Sequence, residues 1–161
     1  MQTRDLQPLA ANIVGHAHRL DMRIAVIDGQ GGGMGKSIID KIRFTFHNEV
    51  SIIALGTNSA STTAMMKAGA DEGATGENAI VYNTSKCDVV IGAVGIIAAN
   101  SFNGELSPAM SLAVAESDAV KILIPINKCN LLIAGTKETM LSDYIDDAIK
   151  ILVKLRRTNN I

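Results

Sequence analysis

The chain has 161 residues, of which 47% are hydrophobic and 19% are charged. This length and composition predict one globular domain with a substantial core and exclude an intrinsically disordered protein. Lysine and arginine (15) nearly balance aspartate and glutamate (16), and aromatic residues make up 3%, so neither the basic face nor the stacking platform of a nucleic-acid-binding protein is expected.

Residues 1–21 differ from the rest of the chain. They contain charged residues and no long apolar run, so no secretory signal is expected there. We expect a poorly ordered extension, or a true start at Met22. His16 and His18 lie in this extension with no third ligand in view, so no metal site is predicted. The domain is expected to span residues 22–161.

The first half of the domain alternates apolar runs with helical patterns. A buried strand at 23–28 is followed by a glycine-rich loop and an amphipathic helix. A second strand at 51–56 leads to a short helix that ends near Gly69. A very short third strand is predicted around Ala74, and the next helix begins near Gly76. The apolar stripe of the first helix consists of Ile38, Ile39, Ile42 and Phe46.

The second half repeats this alternation. A fourth strand is predicted at 87–95, and Ser107 is the expected N-cap of a helix with Pro108 at its first position. A fifth strand is predicted at 120–126 and a sixth at 130–135.

The final helix carries the clearest pattern. Acidic residues lie near its start and basic residues near its end, as the helix dipole favours. Its stripe is long enough for self-association as well as core packing, which predicts a homodimer. The stripe consists of Leu141, Ile145, Ala148, Leu152 and Leu155.

Strands that alternate with helices predict a mostly parallel sheet covered on both faces. In such sheets ligands bind beyond the carboxyl ends of the strands. No apolar run reaches the ~18 residues that a membrane span needs. The two cysteines, Cys87 and Cys129, are expected to be reduced thiols in a cytoplasmic protein.

The loop after the first strand is predicted to bind phosphate. It leads into a helix N-terminus, whose amides and dipole favour anions, and glycine lets the backbone approach a ligand closely. The amides from Met34 to Ser37 are expected to point at the phosphate. The residues assigned to this cradle are Gly29, Gly31, Gly32, Gly33, Met34, Gly35, Lys36 and Ser37.

Two known patterns match the loop in part. Gly29, Gly33 and Gly35 fit the spacing of the cofactor turn in short-chain dehydrogenases. The run 35–37 fits the end of a P-loop, with Gln30 in place of the first glycine. The second strand ends without the carboxylate that binds ribose in dinucleotide folds, and the later strands end without a magnesium-binding aspartate.

Tyr82 and Lys86 have the spacing of the catalytic pair of short-chain dehydrogenases. In those enzymes, however, the pair follows the fourth strand, whereas here it precedes that strand. A proton donor for a reductase is therefore displaced from the expected place.

Four longer stretches carry a more specific resemblance: "MRIAVIDGQGGGMGK", "IALGTNSASTTAMMKAGADEGATGENAIV", "GIIAANSFNGELSPAM" and "KILIPINKCN". They resemble a group of short bacterial proteins known only as a domain of unknown function. The resemblance runs from Met22 to the last helix and implies a Rossmann-like domain in the cytoplasm. It implies no activity.

Polar residues follow several other predicted strands. Thr57, Asn58 and Ser59 come after the second strand as candidate ligand-binding residues, and Thr57 and Ser59 can instead cap the next helix. Asn100 follows the fourth strand as a ligand-binding or turn residue. Lys128 and Cys129, after the fifth strand, are the candidates for catalysis.

We therefore expect a three-layer αβα Rossmann-like domain with five or six strands in the order 3-2-1-4-5-6. The predicted function is binding of a nucleotide, NAD(P) included, or of another phosphorylated small molecule. Three alternatives stay open: an NAD(P)-dependent reductase, a P-loop-like NTPase, and a non-catalytic sensor or partner-binding module. No nucleic-acid or membrane partner is expected.

Overall fold

The computed structural model describes residues 21–126 and 130–158. Within these residues one parallel sheet of five strands lies in the spatial order β3-β2-β1-β4-β5. The sheet grows from β1 to β2 and β3 on one side, and then from β4 to β5 on the other side of β1, as in doubly wound folds. The strands are β1 (Arg23–Asp28), β2 (Ser51–Gly56), β3 (Glu72–Thr75), β4 (Val89–Ala93) and β5 (Val120–Ile124).

Helices cover both faces of the sheet, which makes three layers. Residues of α1, α2 and α5 share one apolar core with the sheet, and residues of α3 and α4 share the core on the opposite face. The helices are α1 (Gly33–Phe46), α2 (Ser59–Lys67), α3 (Glu77–Thr84), α4 (Pro108–Glu116) and α5 (Leu141–Thr158), and a short 3-10 turn (Val94–Ile97) follows β4.

The strands are apolar on both faces because both faces are covered. In β1, Ile24 and Val26 pack in the core beneath α1, whereas Ala25 and Ile27 pack beneath α3 and α4. The register aligns Asp28 with Gly56. The ends of β1 and β2 are therefore level, and the loops that follow them lie side by side.

Most predicted elements are confirmed. The stripe of the first helix is buried, Ser107 caps α4 with Pro108 at the first helical position, and α3 begins after Gly76. His47 lies at the C-terminal end of α1, opposite the glycine loop. The fourth strand is shorter than the predicted 87–95.

The predicted sixth strand is wrong in the described part of the chain. The residues from 130 to 140 form no strand, and Leu132 is 87% exposed. The apolar run there predicted a buried strand, but its described residues are mostly exposed, and β5 is the edge strand of the described sheet.

The final helix packs within the chain. The residues of its predicted stripe are buried from Ile145 onward, whereas Leu141 is 38% exposed. The stripe that suggested self-association is thus largely used in the core, and the homodimer stays a prediction. The predictions for residues 1–20 lie outside the described residues.

Candidate functional site

The glycine loop connects the buried end of β1 to the first turn of α1. Three of its glycines are required by the packing of the protein itself. A Cβ atom on Gly29 would lie 2.7 Å from the Thr57 Oγ1, one on Gly32 would lie 2.6 Å from the Cα of Ser61, and one on Gly35 would lie 2.5 Å from the Met65 Sδ. Gly32 also has a φ of +72°, which side chains adopt only with strain.

Gly31 and Gly33 are different, because nothing in the protein crowds them. A Cβ atom on either residue would meet no atom within 4 Å, and neither has a left-handed φ. Both residues are exposed. Their lack of a side chain therefore leaves bare backbone open to an incoming molecule.

The amides of this loop divide into occupied and open groups. The carboxylate of Asp28 accepts hydrogen bonds from the amides of Gly29 (2.8 Å) and Gly35 (2.7 Å). The amide of Lys36 donates to the carbonyl oxygen of Gly32 (2.9 Å). The expectation that the amides from Met34 to Ser37 all face a ligand is therefore wrong for Gly35 and Lys36.

Three amides remain open. Those of Gly31, Gly33 and Met34 have no hydrogen-bond acceptor among the described residues. Gly33 and Met34 are the first two residues of α1, where amides have no partner within the helix and the dipole attracts negative charge. Ser37 lies one turn later, and its hydroxyl donates to the Gly33 carbonyl oxygen (3.0 Å).

Beside the open amides lies a cavity of about 740 Å³. It is bounded by the ends of β1, β4 and β5 and by the segment that leads into α5. This is the position at the switch of strand order where doubly wound proteins bind ligands. Its lining residues are Asp28, Gly29, Gln30, Gly31, Gly32, Gly33, Met34, Ala93, Phe102, Pro125, Ile126, Glu138, Thr139, Leu141 and Tyr144.

Five of the predicted binding residues line this cavity: Gly29, Gly31, Gly32, Gly33 and Met34. Gly35 is buried behind the loop. Asn100 lies outside the lining, in an exposed turn with a φ of +64°. Lys128 and Cys129, the candidates for catalysis, lie outside the described residues.

The cavity has an apolar wall and an acidic rim. Phe102, Ile126 and Leu141 contribute apolar surface. Glu138 contributes a carboxylate at the exposed rim and Asp28 a buried one at the base, and no lysine or arginine is among the described lining residues. Among the described residues, the open amides and the dipole of α1 are thus the positive features of this site.

The sequence did not reveal that residues near the start of α5 line the cavity. The hydroxyl of Tyr144 donates to the Lys137 carbonyl oxygen (2.5 Å), and the hydroxyl of Thr139 donates to the carboxylate of Asp143. These contacts position the segment that carries Glu138. The available signal was topological, because whatever follows β5 in a parallel sheet lies at the same edge as the glycine loop.

Glu105 is a second residue that the sequence did not reveal. One oxygen of its carboxylate accepts hydrogen bonds from the amide of Gln30 (2.8 Å), the hydroxyl of Thr57 (2.6 Å) and the side-chain amide of Asn58 (2.9 Å). These donors, the Thr57 hydroxyl first, lower the pKa of Glu105 from its ordinary value. A carboxylate from the loop after β4 thus joins the loops after β1 and β2.

The residues that follow β2 are engaged with the protein itself. Asn58 caps α2 by accepting a hydrogen bond from the amide of Ser61 (2.9 Å), and it also donates to the carbonyl oxygen of Gln30 (2.9 Å). Ser59 is exposed in the first turn of α2. Asn58 is therefore the capping residue, rather than Thr57 or Ser59.

Lys36 lies on the α2 side of α1. Its ammonium group forms an ion pair with Asp40 (3.2 Å). It borders a separate shallow cavity of about 450 Å³ with Ser59, Thr63 and Lys67. Lys36 is therefore absent from the lining of the larger cavity, where the lysine of a P-loop would contact phosphate.

Tyr82 lies on α3, outside the cavity lining, and is 61% exposed. The Lys86 Nζ lies 3.0 Å from the centroid of its ring. A hydrogen bond from Lys86, and then its charge, lower the pKa of the Tyr82 phenol. The pair thus forms a surface contact.

The described residues contain no cluster of three or more His, Cys, Asp or Glu side chains that could hold a metal ion. They also include no helix with the length and hydropathy required to span a bilayer. The model of a family described as a domain of unknown function (DUF3842) matches residues 23–157. No curated protein matches the chain.

Proposed function

The chain belongs to that family of unknown function, and we propose from the geometry of its glycine loop that it binds a small molecule through an anionic group. This group is in the first instance a phosphate, held at the start of α1. The ligand class includes nucleotides, NAD(P) among them, and other phosphorylated metabolites. The rest of the ligand occupies the 740 Å³ cavity.

One observation carries this proposal. The open amides of Gly31, Gly33 and Met34 border the cavity. At Gly31 and Gly33, no packing contact within the described protein requires a glycine. Bare backbone with unsatisfied donors is what a phosphate requires.

The electrostatics at the loop are compatible with an anion. Asp28 lies beside the open amides, but its carboxylate accepts hydrogen bonds from two other amides, those of Gly29 and Gly35. These hydrogen bonds disperse its charge. The acidic rim at Glu138 favours a hydroxyl or amino group on the distal part of the ligand. The apolar wall favours a ring or another hydrophobic body between these two ends.

The same contacts rank the alternatives. A P-loop-like NTPase receives no support, since Lys36 pairs with Asp40 beside another cavity. A reductase receives none from Tyr82, which lies on the exposed side of α3. Ligand binding, with or without turnover, is the function that the described residues favour.

A thermal-shift screen against nucleotides, dinucleotides and sugar phosphates tests the proposal. A ligand present at a hundredfold excess over its Kd stabilises the folded state by about 2.7 kcal/mol. Gly33→Asp is expected to abolish the shift, because it adds a negative charge where the ligand anion binds.

Asn78→Asp is the matched control. It adds the same charge to the exposed first turn of α3, which does not border the cavity, and it should leave the shift intact. An unchanged shift in Gly33→Asp, or a loss in both variants, would reject the site.

A further inference from the structure

We propose that the donors held by Glu105 form a second anion subsite, and that Glu105 occupies it in the unliganded protein. A phosphate or carboxylate group of the ligand would bind there after the side chain of Glu105 moves away. The subsite stands on its own contacts. The inference rests on the proposed function only in one respect: the same ligand is taken to place its first anionic group at the start of α1.

The first support is the convergence of donors. The amide of Gln30, the hydroxyl of Thr57 and the side-chain amide of Asn58 come from two loops and point at one carboxylate oxygen. Three donors around one oxygen form an oxyanion site, and Glu105 supplies the anion from a third loop.

The second support is the space that Gly29 leaves for this oxygen. A Cβ atom on Gly29 would lie 3.0 Å from the bound Oε2 of Glu105 and 2.7 Å from the Thr57 Oγ1. The glycine therefore keeps open a place that an oxyanion fills. Because Gly29 and Gln30 also line the large cavity, the subsite adjoins the amides proposed to bind phosphate.

The third support is the loop that carries Glu105. Asn100, Phe102 and Asn103 all have φ values between +56° and +64°, a region that asparagine adopts readily but that bulky residues adopt with strain. Phe102 is bulky and lines the cavity. Release of the Glu105 side chain would leave its three donors facing the ligand.

Two anionic positions along one loop define a ligand class. The donors at Gln30 and at Gly31 belong to consecutive residues. They suit a ligand with two adjacent anionic groups, such as a diphosphate, or a phosphate beside a carboxylate. A ligand with one phosphate would engage the helix amides and leave Glu105 in place.

Titration with inorganic phosphate at constant ionic strength tests the second subsite. At this subsite, Glu105→Ala should bind phosphate about tenfold more tightly than the unchanged protein, because it removes a competing anion and frees three donors. Equal affinities in the two proteins would overturn the proposal. Glu105→Gln, which keeps the shape of the side chain, should show a smaller gain and serves if the alanine variant does not fold.

Two double variants locate the bound phosphate. Adding Thr57→Val to Glu105→Ala should remove the gain, since it deletes one donor. Adding Gly33→Asp should preserve the gain, because Gly33 belongs to the other set of amides. A gain that survives Thr57→Val, or that disappears with Gly33→Asp, would overturn the second subsite. The proposed function fails separately, if Gly33→Asp introduced alone leaves ligand binding as it is in the unchanged protein.

Discussion

Asp28 and Gly35 are joined by a hydrogen bond of 2.7 Å between the carboxylate of one and the amide of the other. The residue that ends β1 thus fixes the first turn of the helix that follows the glycine loop. The same carboxylate holds the amide of Gly29 (2.8 Å). Asp28 is buried, so it has a structural role at the base of the candidate site.

Asp28→Asn should therefore destabilise the protein. One of the two carboxylate oxygens becomes an amide nitrogen, which cannot accept a hydrogen bond from a backbone N–H, and a buried donor left unsatisfied costs about 1–3 kcal/mol. Urea unfolding measures this change. Asp40→Asn is the control, because Asp40 forms an exposed pair with Lys36 and such helix pairs contribute about 0.3–0.5 kcal/mol. Equal losses in the two variants would contradict the assigned role.

Arg43 makes a second set of contacts, at the opposite edge of the sheet. Its guanidinium donates to the carboxylate of Asp71 (2.6 Å) and to three backbone carbonyl groups at 2.7 to 3.0 Å. Lysine has no planar fork to reach these acceptors together. Arg43→Lys should therefore cost about 2 kcal/mol in unfolding free energy, since hydrogen bonds to charged groups contribute about 1.5–3 kcal/mol.

The control for Arg43 is Arg157→Lys, at an exposed position near the end of α5. Its unfolding free energy should change by less than about 0.5 kcal/mol, as is usual for surface substitutions. If Arg43→Lys unfolds at the same urea concentration as this control, the bridging role of Arg43 is wrong.

Glu105 should make stability depend on pH. Its pKa is lowered in the folded protein, chiefly by the Thr57 hydroxyl and then by the Gln30 amide. A lowered pKa means that the ionised group stabilises the fold above its unfolded pKa of about 4.3. This contribution is lost as the pH falls through the folded value.

Thermal unfolding of the unchanged protein and of Glu105→Gln between pH 7 and about pH 3 measures that contribution, because the window includes the unfolded pKa of about 4.3 and continues below it. The unchanged protein should have the higher Tm at pH 7, and the difference should narrow as the pH falls. A difference that stays constant across the range would mean that ionised Glu105 does not stabilise the fold.

The apolar residues predicted the architecture well. Ile38, Ile39 and Ile42 indicated the buried face of α1 because a single face of that helix meets the sheet. β3 was predicted near Ala74 although its residues are mostly exposed. The run at 130–135 misled because apolar residues there predicted pairing, and pairing depends on a neighbour that local sequence does not reveal.

The polar site was predicted only in part. The glycine loop was evident because its position after the first strand and before a helix has a physical meaning. The division of its glycines was not, because the packed and open ones differ only in distant neighbours such as Met65 and Ser61. Glu105 was missed because its partner Thr57 is 48 residues away and no periodic pattern links them.

Gly33 exposes open backbone at the start of α1. Gly33→Ala adds a Cβ atom that contacts nothing in the protein and lies in the first turn of α1. Replacing a helical glycine by alanine stabilises a protein by about 0.5–1 kcal/mol where the backbone allows it. Stability and ligand binding should therefore change in opposite directions.

The most direct measurement is the thermal-shift response of Gly33→Ala and of the unchanged protein to the same panel of nucleotides and sugar phosphates. We predict that at least one compound raises the Tm of the unchanged protein. We further predict that Gly33→Ala, with an equal or higher Tm on its own, responds much less to that compound. A panel that leaves the unchanged protein unshifted, or that shifts both proteins equally, would contradict the account.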